Sequence, residues 1–262
     1  DRFETMLSGD LSQNDGTGFT NYGENSKQLV RITRVSPVNS GPVTRVVGAT
    51  ISDAFESSAV SISADRVDIV DCTVRDNYLG NSGGVPTINA FNANTSTRLR
   101  IIDSLIMGNV EDDMLGVFGT SEPGIFSSFS LDLINTKIIN NDWMAVYGSQ
   151  IVNAEGSLVA GNGVNEITRS DFSLTHCTVA DNDNFGRAGV DYTGLAFADV
   201  QNSIYSVVVG SGSSNIRYSS SWTGHAINPS QDIDGRNLRL AVDGDILFAD
   251  PSNSDYRITA GS

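Results

Sequence analysis

Carboxylates that fall close together are the first residues of this chain that could do chemistry. Calcium and other hard cations take several oxygen ligands at once, from carboxylates, amides and backbone carbonyls. The candidate ligands are the adjacent trio Glu111, Asp112 and Asp113, together with Asp142, Asp181 and Asp183 near the ends of later apolar runs. Calcium is therefore the one cofactor that the sequence suggests. The alternative is that these acids form an ordinary solvated surface.

Aromatic residues near loops are the second kind of candidate, because carbohydrate faces stack on exposed rings. The predicted carbohydrate-binding residues are Trp143, Tyr147, Tyr78 and Trp222. The alternative is that such rings cover the flank of the molecule and bury neighbouring loops. Both interpretations remain open for the two tryptophans.

Composition excludes two large classes of function. The chain has 262 residues, of which 16 are basic and 31 acidic, so its net charge is −15. Such a charge repels phosphate backbones and argues against a nucleic-acid partner. No apolar run is long enough to span a membrane. Short runs of Val, Ile and Leu broken by Asn, Asp and Gly indicate an all-β protein.

An internal repeat shows how these residues must be positioned. Five segments align without gaps: apolar residues at the first, third and eighth positions, a small residue at the sixth and Asn at the eleventh. They end at Asn77, Asn109, Asn141, Asn162 and Asn182, with spacings of 32, 32, 21 and 20 residues. Weaker copies occupy 44–54, 198–208 and 215–226. This periodicity predicts a right-handed parallel β-helix, a solenoid of about eight coils.

In such a solenoid, equivalent residues of successive coils stack into columns about 4.8 Å apart. The asparagines are predicted to close a turn, since Asn tolerates left-handed backbone and its amide can bond along the stack. Cys72 and Cys177 fall in one column of small buried residues, four coils apart. At about 19 Å they are too far apart for a disulfide.

The unequal spacings predict loop insertions after the first two regular repeats, over 78–97 and 110–129. We expect a single domain over 1–262. Residues 1–43 form an N-terminal cap and early coils, 44–226 the regular coils, and 227–262 a C-terminal cap. Capping is expected because open solenoid ends expose unpaired strand edges.

With these repeats in place, the chain resembles the right-handed parallel β-helix proteins of the pectin lyase-like superfamily. More narrowly, it resembles secreted proteins that carry a choice-of-anchor Q domain. The opening ETMLSGDLSQNDGTGFTNYGENS (4–26) and the closing DGDILFADPSNSDYRITAGS (243–262) are similar to that group's first and last segments. The resemblance covers nearly the whole chain. It implies a secreted or cell-surface location and a piece of a larger polypeptide.

Enzymes of this superfamily provide a test for catalysis. Their hydrolases have a carboxylate cluster with Gly-His-Gly, whereas the only Gly-His here is Gly224-His225-Ala226. Their pectate lyases have Arg-x-Pro-x-x-Arg and Trp-x-Asp-His, which this chain lacks. Other lyases neutralise a uronate and remove its proton with Lys and Arg, for which Lys137, Arg75 and Arg100 are the candidates. His176 is expected at an outward position in a column with Asp71, Asp103 and Asn135.

Three functions therefore follow from the sequence. The first is a non-catalytic extracellular module that serves as a scaffold, an adhesion element or a glycan-binding surface. The second is a polysaccharide lyase or hydrolase that acts on a cell-wall or extracellular glycan. The third is an accessory subunit of an envelope complex, in which another protein is the partner and an exposed apolar patch is the expected signature.

Overall fold

The chain is built almost entirely of short strands. The computed structural model describes residues 5–10, 12–13, 22–33, 43–78, 87–90, 98–110, 125–127, 130–141, 146–147, 151–162, 167–168, 171–180, 190–191, 197–201, 204–206, 208–209, 213–217, 220–222, 238–239, 248–250 and 255–258. The one helix in these ranges is a 3₁₀ turn, Tyr22–Glu24. No helix in the described ranges is long and apolar enough to cross a membrane.

Three parallel sheets contain all but two of the described strands. Sheet 1 has ten strands: β1 Thr5–Ser8, β4 Ala49–Ser52, β7 Thr73–Arg75, β10 Leu105–Met107, β13 Lys137–Ile139, β16 Leu158–Ala160, β19 Thr178–Ala180, β22 Ile204–Ser206, β25 Ser220–Trp222 and β26 Leu238–Arg239. Sheet 2 has eight: β2 Val30–Thr33, β5 Val60–Ser63, β8 Ile88–Ala90, β11 Ile125–Ser127, β14 Val146–Tyr147, β17 Ile167–Thr168, β20 Val190–Asp191 and β23 Val208–Val209. Sheet 3 also has eight: β3 Thr44–Val47, β6 Arg66–Val70, β9 Arg98–Ile102, β12 Ser130–Ile134, β15 Ile151–Glu155, β18 Asp171–Thr175, β21 Phe197–Gln201 and β24 Ser213–Arg217.

The order of the strands is that of a solenoid. From β1 to β25 the chain visits sheets 1, 2 and 3 in turn, and each strand pairs in parallel with the strand three places later. The all-β class and the parallel pairing agree with the predicted β-helix. The last two strands, β27 Phe248–Asp250 and β28 Asp255–Ile258, form an antiparallel pair outside the three sheets.

Columns of aliphatic side chains fill the interior, as the repeat predicts. On sheet 3 they come from alternate positions, so that Ile69 pairs with Ile101 and Ile101 with Leu133. On sheet 1 the central residue of each strand points inward, as in Val74 and Ile106. All five side chains are at most 1% exposed. Burial of these columns is the main apolar driving force for stacking the coils.

The two stretches predicted as inserted loops each contain a strand of sheet 2. Strand β8 lies within 78–97 and β11 lies within 110–129, and the two strands pair with each other. The sequence did not reveal them because the strands of sheet 2 are outside the eleven-residue repeat. In the later coils they are only two residues long.

A ladder of buried asparagine side chains runs along the turn after sheet 1. The Nδ2 atom of Asn77 donates to Oδ1 of Asn109 at 2.8 Å, Asn109 donates to Asn141 at 2.7 Å, and Asn141 donates to Asn162 at 2.8 Å. The backbone N–H groups of Asn77, Asn109 and Asn141 donate to the same oxygens. The predicted bonding along the stack is confirmed.

The predicted backbone conformation of these asparagines is wrong. None of the four has positive φ; the left-handed residue is the one before each asparagine, namely Asp76, Gly108, Asn140 and Gly161, with φ of 52°, 60°, 52° and 64°. The turn therefore divides two tasks between adjacent residues. One adopts the left-handed backbone, and the next supplies the amide.

A second polar ladder runs between sheets 3 and 1, through the column of small residues. Ser104 Oγ accepts from the N–H of Cys72 and donates to the carbonyl of Ile102, and Ser157 Oγ accepts in the same way from Thr136. Cys72 and Cys177 are buried in this column and form no disulfide, as predicted. Burial raises the pKa of both thiols.

The turn before this column also requires left-handed backbone. Its residues Asp71, Asp103, Asn135, Gly156 and His176 have φ between 48° and 59°. His176 is exposed and shares this column, as predicted. At Gly156 a Cβ atom would lie 2.5 Å from Oδ1 of Asn135, so a larger residue there would displace the Asn135 side chain.

The described part of 1–43 contributes two strands to the parallel sheets. Strand β1 pairs with β4 and β2 pairs with β5, so 5–8 and 30–33 continue sheets 1 and 2. Met6 and Leu7 are 59% and 38% exposed. The capping role predicted for 227–262 stays a prediction.

The asparagine ladder gives a direct test of what holds the coils together. Replacing Asn109 with Ala leaves two donors of Asn77 without their acceptor in a buried site. We expect Asn109→Ala to lower the free energy of unfolding by roughly 1–3 kcal/mol, measured by urea denaturation. Ser63→Ala, at an exposed position at the end of β5, is the control. Equal midpoints for the two variants would contradict a stabilising ladder.

Candidate functional site

The three candidate lyase residues lie on two different sheets. Lys137 begins β13 and is exposed, and Arg75 ends β7 two strands away in the same sheet, where its Nη1 is 2.7 Å from Oδ2 of Asp76. Arg100 lies on sheet 3, where its guanidinium binds Asp68. The structure therefore places Lys137 and Arg75 on one sheet and Arg100 on another.

The calcium candidates Glu111, Asp112, Asp113, Asp142, Asp181 and Asp183 all lie outside the described residues. Within the described part of the chain, no group of three or more His, Cys, Asp or Glu side chains could hold a metal ion.

The aromatic candidates are spread over the molecule. Tyr78 stacks on Phe55, with ring centroids 5.3 Å apart and an interplanar angle of 10°. One face of the Tyr78 ring is therefore covered. Tyr147 ends β14 on sheet 2 and Trp222 ends β25 on sheet 1, so these two residues lie on different sheets. Trp143 lies outside the described residues.

Six charged residues lie close together on the outer face of sheet 3. Successive side chains of a strand point to opposite faces, so the residues between the buried positions of β3, β6, β9 and β12 point outward. In-register pairing places these residues in three rows. The arginine row is Arg66 and Arg98; the charged row is Arg45, Asp68, Arg100 and Asp132; the aliphatic row is Val47, Val70, Ile102 and Ile134. We call these three rows the sheet-3 face.

Asp68 is the centre of the charged row. Its carboxylate accepts from Nε and Nη2 of Arg100, at 2.8 and 2.5 Å, and from Nε of Arg45 at 3.2 Å. The Asp68 side chain is only 3% exposed, although it points away from the core. Hydrogen bonds from Arg100, and after them its charge and the contact with Arg45, lower the pKa of Asp68, although burial acts in the opposite direction. Asp68 is therefore a fixed anion beneath two arginines.

Asp132 repeats this arrangement two strands further along. Its Oδ2 binds the guanidinium of Arg98, through both Nε and Nη2, and its Oδ1 accepts from Nδ2 of Asn153 at 2.9 Å. Like Asp68, it is almost fully buried. The two aspartates therefore hold three arginines in place while presenting little carboxylate surface to solvent.

The face has a net positive charge on a strongly acidic protein. Four arginines and two aspartates give it a formal charge of +2, against −15 for the whole chain. Arg66 and Arg98 are direct cross-strand partners, and like charges in that position repel. Arg66 is exposed and has no ion pair or hydrogen bond with any residue in the described ranges. Its charge therefore remains available to a partner.

The aliphatic row makes the face amphipathic. Val47 is 60% exposed, and Val70, Ile102 and Ile134 are partly exposed. Beyond this row lies the left-handed turn that contains Asp71 and Asp103. Across the face, the surface therefore changes from basic to aliphatic to acidic.

A signal for this site was present in the repeat. Asp68, Arg100 and Asp132 all occupy the second position of the eleven-residue repeat, and Arg66 and Arg98 immediately precede the first position of their repeats. The sequence predictions considered Arg100 and His176 at outward positions but not the alternation of charges along the second position of the repeat. The outward positions would have revealed the alternating charges, but not which guanidinium covers which carboxylate.

Compared with known proteins, the chain matches no family model, no curated protein and no solved structure. The resemblance to β-helix proteins therefore depends on the repeat and on the parallel sheets alone.

Asp68 offers a test of the charged row. We expect Asp68→Asn to lower the free energy of unfolding at neutral pH by about 1–3 kcal/mol, because hydrogen bonds to charged groups are stronger than neutral ones. Asp103→Asn is the matched control, since Asp103 is exposed and Asn tolerates its left-handed backbone. The measurement is urea denaturation, and an effect no larger than that of the control would contradict the arrangement.

The difference in unfolding free energy between wild type and Asp68→Asn should depend on pH. Because the pKa of Asp68 is lowered on folding, the unfolded chain takes up this proton first as the pH falls. The stability difference between wild type and Asp68→Asn should be complete above the ordinary value of 3.8 and should shrink as the pH falls through the lowered folded pKa. Urea denaturation as a function of pH measures it. A difference that grows on acidification would show that the sign is wrong.

Proposed function

We propose that this chain is a non-catalytic module of a secreted or cell-surface protein. In this proposal it is a single right-handed parallel β-helix of about eight coils that serves as a rigid scaffold and presents the sheet-3 face to a partner. The resemblance to secreted choice-of-anchor Q proteins supports the location. Right-handed winding is expected because parallel crossover connections are nearly always right-handed.

The observation that carries the proposal is the arrangement of the sheet-3 face. Buried carboxylates fix Arg45, Arg98 and Arg100, and an aliphatic row that is exposed at Val47 and partly exposed elsewhere lies beside them. Arginine is favoured at interfaces because its planar guanidinium makes several directed hydrogen bonds. Exposed apolar side chains next to fixed charges are typical of a surface that contacts another molecule.

The two polar ladders support the role of a scaffold. Each buried amide or hydroxyl bonds to a neighbouring coil, from Asn77 to Asn162 on one side and from Cys72 to Ser157 on the other. Fully bonded polar networks in a low-dielectric interior favour one well-defined structure. The face is therefore built on strands that hold its rows at fixed spacing.

The alternatives predict different partners. A glycan-binding module would use exposed rings or the arginines, and an accessory subunit of an envelope complex would bind another protein. A polysaccharide lyase would need a cation and a base at one point of the surface. Since Arg75 and Arg100 are each bound to an aspartate, and Lys137 and Arg100 lie on different sheets, we favour the non-catalytic module.

Retention on cell-surface material tests this proposal. We expect the full chain to co-sediment with isolated envelope or extracellular matrix of its source, and added salt to release it, because screening weakens attraction between exposed charges. The variant Val47→Asp with Arg66→Glu should be retained less. Arg31→Glu, the same charge reversal at an exposed position of sheet 2, should behave as wild type.

The enzymatic alternative is measured in parallel with the same preparations. We expect no rise in the ultraviolet absorbance of unsaturated uronates over a panel of uronic-acid polymers. A rising trace, or retention that is equal in all variants, would overturn the proposal.

A further inference from the structure

We propose that the partner of the sheet-3 face is a polypeptide segment that carries both acidic and aliphatic side chains. This inference rests on the proposed function, because it names the chemistry of the partner bound at the same face. Three features of the face support it: available guanidinium N–H groups, an adjacent aliphatic row, and an acidic border on the far side.

The arginines still have hydrogen-bond donors to offer. A guanidinium has five N–H bonds. Arg45 bonds to Asp68 through Nε alone, and its side chain is 62% exposed. Arg98 is 52% exposed even while it binds Asp132. Together with Arg66, these side chains offer donors that match the geometry of carboxylates.

The buried aspartates order these arginine side chains before a partner binds. Ordering a long side chain on binding costs about 0.5–1.5 kcal/mol. Asp68 and Asp132 hold Arg45, Arg98 and Arg100 before any partner arrives, so this cost is reduced. Because the two carboxylates are almost completely covered, an anionic partner meets the guanidinium groups first.

The aliphatic row distinguishes a polypeptide from a polyanionic glycan. Val47, Val70, Ile102 and Ile134 are cross-strand neighbours and form a continuous apolar strip beside the charged row. None of the outward residues of β3, β6, β9 and β12 is aromatic, and carbohydrate faces stack on rings rather than on branched aliphatic groups. Aliphatic side chains of a polypeptide would instead bury this strip from water.

The acidic border fixes the orientation of the partner. Asp103 is exposed beside Ile102, and Asp71 lies beside Val70. Carboxylates of the partner are repelled there and attracted at Arg66 and Arg98. A bound segment therefore directs its acidic side chains to the arginine row and its aliphatic side chains to the strip.

Synthetic peptides test this inference with the full chain. The probe is a short peptide of Asp, Glu, Val and Leu. One comparison peptide has Asn and Gln in place of the acids, and a second has Ser in place of Val and Leu. Calorimetry should detect binding of the acidic–aliphatic peptide and weaker binding of the two comparison peptides. Arg66→Glu should weaken binding of the first peptide by up to about fivefold through loss of the ion pair alone, since an exposed ion pair contributes up to about 1 kcal/mol.

Two further variants separate the charged and aliphatic contributions. Val47→Ser should weaken binding of the acidic–aliphatic peptide, because it removes apolar contact without changing the charge of the face. Arg31→Glu, on sheet 2, should leave the affinity unchanged. Both substitutions are at exposed positions, so circular dichroism and urea midpoints should match those of wild type.

Several outcomes would overturn the inference. One is absence of peptide binding, or binding that Arg66→Glu leaves unchanged. A second is tighter binding of a sulfated or uronic-acid polysaccharide, which would assign the face to a glycan. A third is self-association of the chain that Arg66→Glu abolishes, which would assign it to a second copy. In each case the proposed function still stands if the substitutions on the sheet-3 face reduce retention on envelope material. It fails if those substitutions leave retention unchanged.

Discussion

The hydrogen bond between asparagine side chains of successive coils is the constraint on which the other features of this molecule depend. An amide has one acceptor and one donor group, so each asparagine can accept from the coil before it and donate to the coil after it. The chain must therefore return to the same place in every coil, or a buried polar group is left without a partner at a cost of about 1–3 kcal/mol. Once this register is fixed, every other position of the repeat is also stacked, including the aliphatic core and the hydroxyl ladder.

In-register stacking also determines the chemistry of the surface. Identical outward residues in successive coils would place like charges about 4.8 Å apart. The charged row avoids this by alternating Arg45, Asp68, Arg100 and Asp132, and the resulting ion pairs fix the arginines. Arg66 and Arg98 are the exception, because they are adjacent and of the same sign. In that pair Arg98 binds Asp132, whereas Arg66 has no ion pair with any residue in the described ranges.

Much of the fold could be predicted because burial restricts residue type. Inward positions such as Ile69, Ile101 and Leu133 must be apolar, and Cys72 and Ser104 must be small, so the repeat was visible in the sequence. Strands β14 and β17 could not be predicted, since two residues carry no periodicity. The candidate site was missed for another reason. Whether Arg100 covers Asp68, and how far each carboxylate is buried, depends on side-chain conformations that have no periodic signature.

The unequal lengths of the coils have a consequence for how such a protein can change in evolution. Asn77 and Asn109 are 32 residues apart and Asn141 and Asn162 are 21 apart, yet both pairs make the same amide contact. Segments between the ladders can therefore lengthen or shorten without disturbing the register. Duplication of a whole coil adds one rung to every column at once, because each repeat contacts only its neighbours. Duplication of coils can thus lengthen the stack of repeats, while a single substitution at an outward position alters the surface of only one coil.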